Sequence, residues 1–211
     1  MVEREAGGLR ERKKAATRAA LSAAALRLAL ERGPENVRVD DIAEAAGVSP
    51  RTYNNYFSSR EQAIVAAIAA ERTERIGAAL RARPSDEPLA EAVVEAVIEQ
   101  HSEPTGDALT LITTAPALRA EFVDAVASLQ SPLSSAIAER LGRDEDLATT
   151  VLAAAVAAAA RVAVERWVGG WTQAAGDLLV VTEGPSLADG LREALAHVAP
   201  ALRAADAGTA A

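Results

Sequence analysis

Residues 40–60 read DDIAEAAGVSPRTYNNYFSSR, and this stretch decides the fold. Asp40, Asp41 and Glu44 load the front of a short helix with negative charge, where the helix dipole favours it. Ile42, Ala45 and Ala46 supply a small apolar face. Gly47 follows, and glycine most easily takes the left-handed conformation that ends a helix. Ser49 can cap a second helix, with Pro50 at its first position, where no amide donor is needed. Two helices joined by a tight glycine turn within about twenty residues are the helix-turn-helix signature.

The second helix, Pro50 to about Tyr56, sorts by spacing. Tyr53 and Phe57 stand four apart and share the buried face. Arg51, Thr52, Asn54, Asn55 and Tyr56 point elsewhere and include no carboxylate. Arginine forks onto guanine, an amide pairs with adenine, and a threonine methyl touches thymine. A tyrosine hydroxyl suits phosphate oxygens. The plainer alternative is a solvated polar face on a short helix. The cap, the turn and both faces agree on the DNA-reading alternative.

The segment IAEAAGVSPRTYNNYFSSREQAI resembles the DNA-binding signature of the tetracycline-repressor (TetR) family of bacterial regulators. The resemblance is specific over residues 16–68. It implies an all-α chain with an N-terminal three-helix helix-turn-helix DNA-binding domain, residues 1–58. A C-terminal helical ligand-binding and dimerisation domain, residues 59–211, follows, making about nine helices. It further implies that the helix beginning at Ser49 and Pro50 enters the major groove, so that Arg51, Thr52, Asn54, Asn55 and Tyr56 face DNA. Arg60 occupies the place of a phosphate-contacting lysine. Two positions depart from the family pattern: Asn54 replaces a common aromatic, and Arg38 replaces a threonine that often caps the preceding helix.

Net charge is −8, unusual for a DNA binder, but the distribution is uneven. Residues 1–60 carry eleven Lys and Arg against eight Asp and Glu, and residues 61–211 carry eleven against twenty-two. Arg10, Arg12, Lys13, Lys14 and Arg18 fall within nine residues. Sign asymmetry between parts of a chain says more than the total. The family resemblance implies that this end of the first helix lies beside the DNA backbone, so Lys13, Lys14 and Arg18, together with Arg38 and Arg60, are the candidate phosphate contacts. A solvated basic helix end is the alternative for the first three.

Half the residues are hydrophobic, with few aromatics and much alanine. Almost no alternating β pattern is present, which favours helices. There is no cysteine, which removes disulfides, thiol catalysis and cysteine-ligated metal. His101 and His197 stand alone, so neither a metal site nor a cofactor is expected. The N-terminus lacks the apolar core of a signal peptide. The charge-free apolar run Leu147–Ala160 is short for a membrane span. A cytoplasmic protein without a membrane partner is expected.

The chain order predicts a flexible arm over residues 1–8 and a first helix from Leu9 to Glu31, with Leu21, Ala25, Leu28 and Leu30 on its apolar side. Ser58 or Ser59 caps a fourth helix that Pro84 ends. A fifth spans Leu89–His101 and a short sixth Asp107–Thr114. The seventh runs from Pro116 to about Leu141, with Leu118, Phe122, Val126, Leu129, Leu133 and Ile137 inside and a kink at Pro132. The eighth, Leu147 to about Val168, is apolar on nearly every side and so reads as buried all round. The ninth runs from Ser186 to about Ala204.

Helices eight and nine are the candidate homodimer interface, and two-fold symmetry would match a palindromic double-stranded operator. The family resemblance implies a small-molecule effector bound between helices four and eight, lipophilic or acyl-CoA-like. Thr110, Thr113, Thr114 and Gln130 are polar groups in apolar segments, and Arg161 could receive an anionic group. Arg161 has the alternative of pairing with Glu165 one turn on. Two other function classes remain: a helical interaction or adaptor protein with weak DNA binding, and an enzyme acting on a small acyl compound. The second would need a catalytic constellation that the sequence does not display.

Overall fold

A computed structural model of the chain describes residues 2–101, 111–112, 115–173, 179–181 and 186–208. The α-helices are α1 (Val2–Arg32), α2 (Val39–Ala45), α3 (Pro50–Tyr53), α4 (Arg60–Ala82), α5 (Leu89–His101), α6 (Pro116–Ala125), α7 (Gln130–Arg140), α8 (Leu147–Gly169), α9 (Leu187–Ala196) and α10 (Ala199–Ala207). Two 3-10 turns, Pro34–Asn36 and Val126–Leu129, join them. Most of the expected sixth helix, with Thr110, Thr113 and Thr114, lies outside the described residues. The chain divides into two compact units, Met1–Ile68 with Asp107–Glu121 and Ala69–Gly106 with Phe122–Ala211.

In the first unit α1 packs on α2, and α2 on α3. Leu21, Ala25, Leu28, Val37, Ile42, Tyr53, Phe57 and Ile64 are buried. Leu30, expected on the inner face, is 44% exposed. It stands two residues from Leu28, about 200° round the helix, where no neighbour covers it. The helix begins at Val2, so residues 2–8 of the expected arm continue it.

Ser59 turns out to be the cap of α4. Its Oγ accepts from the Gln62 amide at 3.0 Å, while the Gln62 side chain accepts from the Ser58 amide at 2.9 Å. Ala63, Ile64 and Val65 in the opening turns of α4 are buried.

In the second unit α8 packs against α7, α9 and the Val126–Leu129 turn, while α5 packs against α9 and α10. Of the six apolar residues expected along the seventh helix, Phe122, Val126, Leu129, Leu133 and Ile137 are buried here, while Leu118 is buried and belongs to the first unit. That helix breaks at Val126–Leu129, and the ninth breaks at His197 and Val198. Each break precedes a proline by a few residues. A helical proline ring collides with the carbonyl four residues back. Those carbonyls belong to Ser128, for Pro132, and to Ala196, for Pro200, so the chain loosens just there.

Trp171–Gln173 and Leu179–Val181 form an antiparallel pair, β1 and β2, with Thr172 opposite Val180. The β-branched Thr172, Val180 and Val181 suit a strand, a signal too short to stand out in the sequence.

The eighth helix departs from expectation in one respect. Leu152, Ala153, Val156, Ala160, Ala163 and Val164 are buried, but Leu147, Val151 and Val162 are 80%, 56% and 50% exposed. An apolar stripe therefore lies uncovered on the single chain. Beside it α8 and α9 border a groove of about 620 Å³, with Val162, Trp167, Gly190, Ala194 and His197 among its walls. By length and composition α8 is long and apolar enough to cross a membrane, although its inner face is core here.

Candidate nucleic-acid interface

The turn between α2 and α3 is built from the backbone outward. Gly47 takes φ +68°, the left-handed region. Its amide donates to the Glu44 carbonyl at 3.0 Å, and the Val48 amide to the Ala43 carbonyl at 2.9 Å. This pair of bonds satisfies the last carbonyls of α2 and reverses the chain. Ser49 then caps α3: its Oγ accepts from the Thr52 amide at 3.1 Å and lies 2.9 Å from the Thr52 hydroxyl. At the other end of α2, Arg38 stands at the cap position without a capping side-chain bond, because a guanidinium has no acceptor. Its backbone amide donates to Asp41 instead, at 3.4 Å.

Only Pro50–Tyr53 is regular α-helix. Residues 54–56 continue as a turn, with the Asn54 amide bonded to the Pro50 carbonyl and the Phe57 amide to the Tyr53 carbonyl. Tyr53 and Phe57 are buried, their ring centroids 5.8 Å apart and tilted. The Tyr53 hydroxyl donates to the Ser59 carbonyl at 2.7 Å, tying α3 to the start of α4. Burial, and then the charge of Glu61, push the Tyr53 hydroxyl up to about 12. The opposite side of the same turns is open. Ser49, Arg51, Asn54 and Asn55 are exposed, and Thr52 and Tyr56 half-buried. Groups that can read base edges and groups that grip the core thus occupy separate faces of about two turns.

The expected cations divide by what they touch. Lys13, Lys14, Arg38 and Arg51 are exposed. Arg10, Lys14 and Arg18 are four residues apart and lie on one ridge of α1. Arg18 is engaged within the unit: its guanidinium sits 4.4 Å from the Phe57 ring centroid and donates to the Tyr56 carbonyl at 2.9 Å. Arg60 is engaged too. Its Nη1 donates to the carbonyls of Glu35 and Val37 at 3.0 and 2.9 Å, and its Nε to Glu61 at 2.7 Å. Arg18 fastens α1 to the turn after α3, and Arg60 fastens the start of α4 to the segment before α2. The sequence treats them as surface cations because such contacts span 23 to 39 residues.

In the second unit Gln130 is half-buried at the start of α7. Arg161 donates to Asp124 at 3.0 Å and to Glu165 at 3.4 Å, so two carboxylates already hold it. Sequence reasoning passed over Arg72, a buried arginine on α4 whose Nε has no hydrogen-bond partner. The signal was present: Arg72 interrupts an apolar row at Ile68, Ile76 and Leu80. Among the described residues no cluster of His, Asp and Glu could hold a metal ion.

Two family models match the chain. Residues 21–68 match that of bacterial regulatory proteins of the tetR family, and residues 87–203 that of the MftR C-terminal domain. The HTH-type transcriptional regulator TcmR of Streptomyces glaucescens is 34% identical over 174 residues, 76% of each chain. Among solved structures, Thermus thermophilus FadR, a TetR-family repressor in complex with lauroyl-CoA, is 21% identical. The match covers 86% of this chain and 92% of that one, with a TM-score of 0.46. RolR in complex with resorcinol is 25% identical over 92% and 95% of the two chains, with a TM-score of 0.42. The turn geometry, the matched segments and the TcmR identity agree, and the chain belongs to the tetR family of DNA-binding transcriptional regulators.

Proposed function

We propose that the protein is a homodimeric repressor that occupies a palindromic operator and is released by a small-molecule effector, lipophilic in character. The observation that carries this reading is the open polar face of Ser49, Arg51, Asn54 and Asn55 on a helix held from behind by Tyr53, Phe57 and Arg18. Arg51, Asn54 and Asn55 read base edges, with the Thr52 methyl beside them. Ser49 and Tyr56 offer hydroxyls to phosphate, while Lys13, Lys14 and Arg38 supply charge to the backbone. Arg18 and Arg60 act first as fasteners and add their positive potential to the same face.

Dimerisation uses α8 and α9, supported by the uncovered stripe of Leu147, Val151 and Val162 beside the groove. Residues 1–58 carry the DNA-reading elements and residues 59–211 the effector and dimer surfaces. The protein works in the cytoplasm and has no catalytic role. An effector that binds one arrangement of the dimer better than the DNA-bound one shifts the population away from DNA.

The test is binding of the purified protein to DNA upstream of its own gene, by fluorescence anisotropy with random-sequence competitor at two salt concentrations. The expected result is specific binding by two chains per site, weakening steeply with salt. Affinity equal to that for random DNA would sink the operator assignment.

A further inference from the structure

Arg72 is a charge in the wrong place unless something comes to meet it. It lies on α4 in a row with Ile68, Ile76 and Leu80, each four residues from the next. Only 8% of its surface is exposed, while Ile76 and Leu80 are fully buried. Burying a guanidinium without a partner is costly. Yet Arg72 has no ion pair among the described residues, and its buried Nε donates to nothing. Glu71, beside it in sequence, pairs with Arg75 at 3.5 Å. Among the described residues, what favours the cation is the Phe122 ring, whose centroid lies 5.1 Å from the guanidinium carbon, and the charge of neighbouring Glu71.

Arg72 also lines a cleft, together with Ala69, Thr73, Phe122, Val126 and Leu129. Thr73, on the lining, adds one hydroxyl to the cleft, 3.4 Å from that of exposed Ser128. The remaining lining is apolar. A cation with open donors beside a ring and aliphatic side chains is a receptor for a molecule of matching halves.

We propose that Arg72 anchors a carboxylate of the effector, whose apolar body lies against Phe122, Val126 and Leu129. A carboxylate matches the paired N–H groups along one edge of a guanidinium and is bound by two parallel hydrogen bonds. Arg161 is ruled out for this part, since Asp124 and Glu165 already hold it. The cleft as it stands has room for about one water, roughly 10 Å³. Binding must therefore push a wall outward. The wall that yields is Val126–Leu129, the 3-10 turn imposed by Pro132, where hydrogen-bond geometry is poorer than in the flanking helices. This inference rests on the regulator reading and names the effector's chemical class and its anchor.

The experiment is calorimetric titration of the full-length protein, without DNA, using two matched pairs of probes: octanoate with 1-octanol, and phenylacetate with phenylacetamide. Wild type is expected to bind the anion of at least one pair about tenfold or more tightly than its neutral twin. Arg72→Met, which keeps the bulk and drops the charge, abolishes that preference while retaining the neutral twin's affinity. Both Arg72→Met and a second variant, Arg72→Gln, are expected to melt at or above the wild-type temperature, because an unpaired buried charge has been removed.

Wild type showing no anion preference, or no binding by either pair, overturns the proposal. So does an anion preference that survives in both variants, or a lowered melting temperature in both, which would make Arg72 a structural group. Operator binding is scored separately. Its loss in wild type alongside an intact anion preference sinks the regulator reading and leaves the anchor standing.

Discussion

The guanidinium of Arg18 covers the ring of Phe57 at 4.4 Å and donates to the carbonyl of Tyr56 at 2.9 Å. One side chain thus joins α1 to both faces of the turn after α3: the buried ring and the backbone of the open side. An arginine serving only as a phosphate contact would leave the free protein unchanged when removed. Arg18→Ala is expected to cost about 1–2 kcal/mol of stability, from a cation–π contact and a charge-assisted hydrogen bond. Urea unfolding without DNA measures this. Unaltered stability with weakened DNA binding would return Arg18 to a purely external role.

Tyr53 gives a pH signature with a definite sign. Its hydroxyl titrates at about 12 in the folded chain and near 10 when unfolded. A raised folded pKa means the stability is fully present below pH 10 and is lost as pH rises through 12. The two-unit difference corresponds to about 3 kcal/mol. Tyr53→Phe has no such loss, but gives up the 2.7 Å bond to the Ser59 carbonyl, about 1 kcal/mol. The variant is therefore less stable at pH 8, and the two stability curves cross between pH 10 and 12. Parallel curves from urea unfolding across that range would show that Tyr53 does not titrate from a buried position.

What the sequence disclosed follows from range. Gly47, Ser49, Pro50 and the Tyr53–Phe57 spacing act within a few residues, so the turn, the cap and the two faces of α3 were all readable. The row from Leu118 to Ile137 was readable for the same reason, since periodicity survives a local break. Pro132 and Pro200 marked where helices loosen, but the break falls on the carbonyl four residues earlier, so Pro132 was placed as a kink and Pro200 was passed over. The partners of Arg18, Arg60 and Arg161 lie 23 to 39 residues away, apart from the adjacent Glu61 and the nearby Glu165. No local pattern shows whether an arginine faces water or a carbonyl. Which stripe of α8 stays open on the single chain is not legible, because composition registers an apolar face without showing what covers it.

Arg51 is the test of base reading. It is exposed on the second position of α3, where its guanidinium is free to reach a groove. Arg51→Ala is expected to weaken specific binding by about 1–3 kcal/mol and to relax choice at one base pair, with little change on random DNA. Anisotropy against operator variants, each altered at one position, resolves the two effects. Equal losses on operator and random DNA would make Arg51 a phosphate contact.

Val162 tests the assembly. It is 50% exposed in the single chain, on the stripe with Leu147 and Val151, and it borders the groove between α8 and α9. Val162→Asp leaves a solvated carboxylate on a lone chain, a small cost. In a two-fold dimer across this surface the same change brings a charge from each chain into an apolar contact. Desolvation then costs several kcal/mol per unpaired charge, and the dimer dissociates. Sedimentation velocity is expected to show a monomer with unchanged helical circular dichroism. Specific DNA affinity falls with it, because two half-sites are no longer held by one particle. Ser131→Asp, a charge added at an exposed position of α7, serves as the control. A Val162→Asp protein that remains dimeric would move the interface away from α8 and α9 while leaving the DNA-reading face untouched.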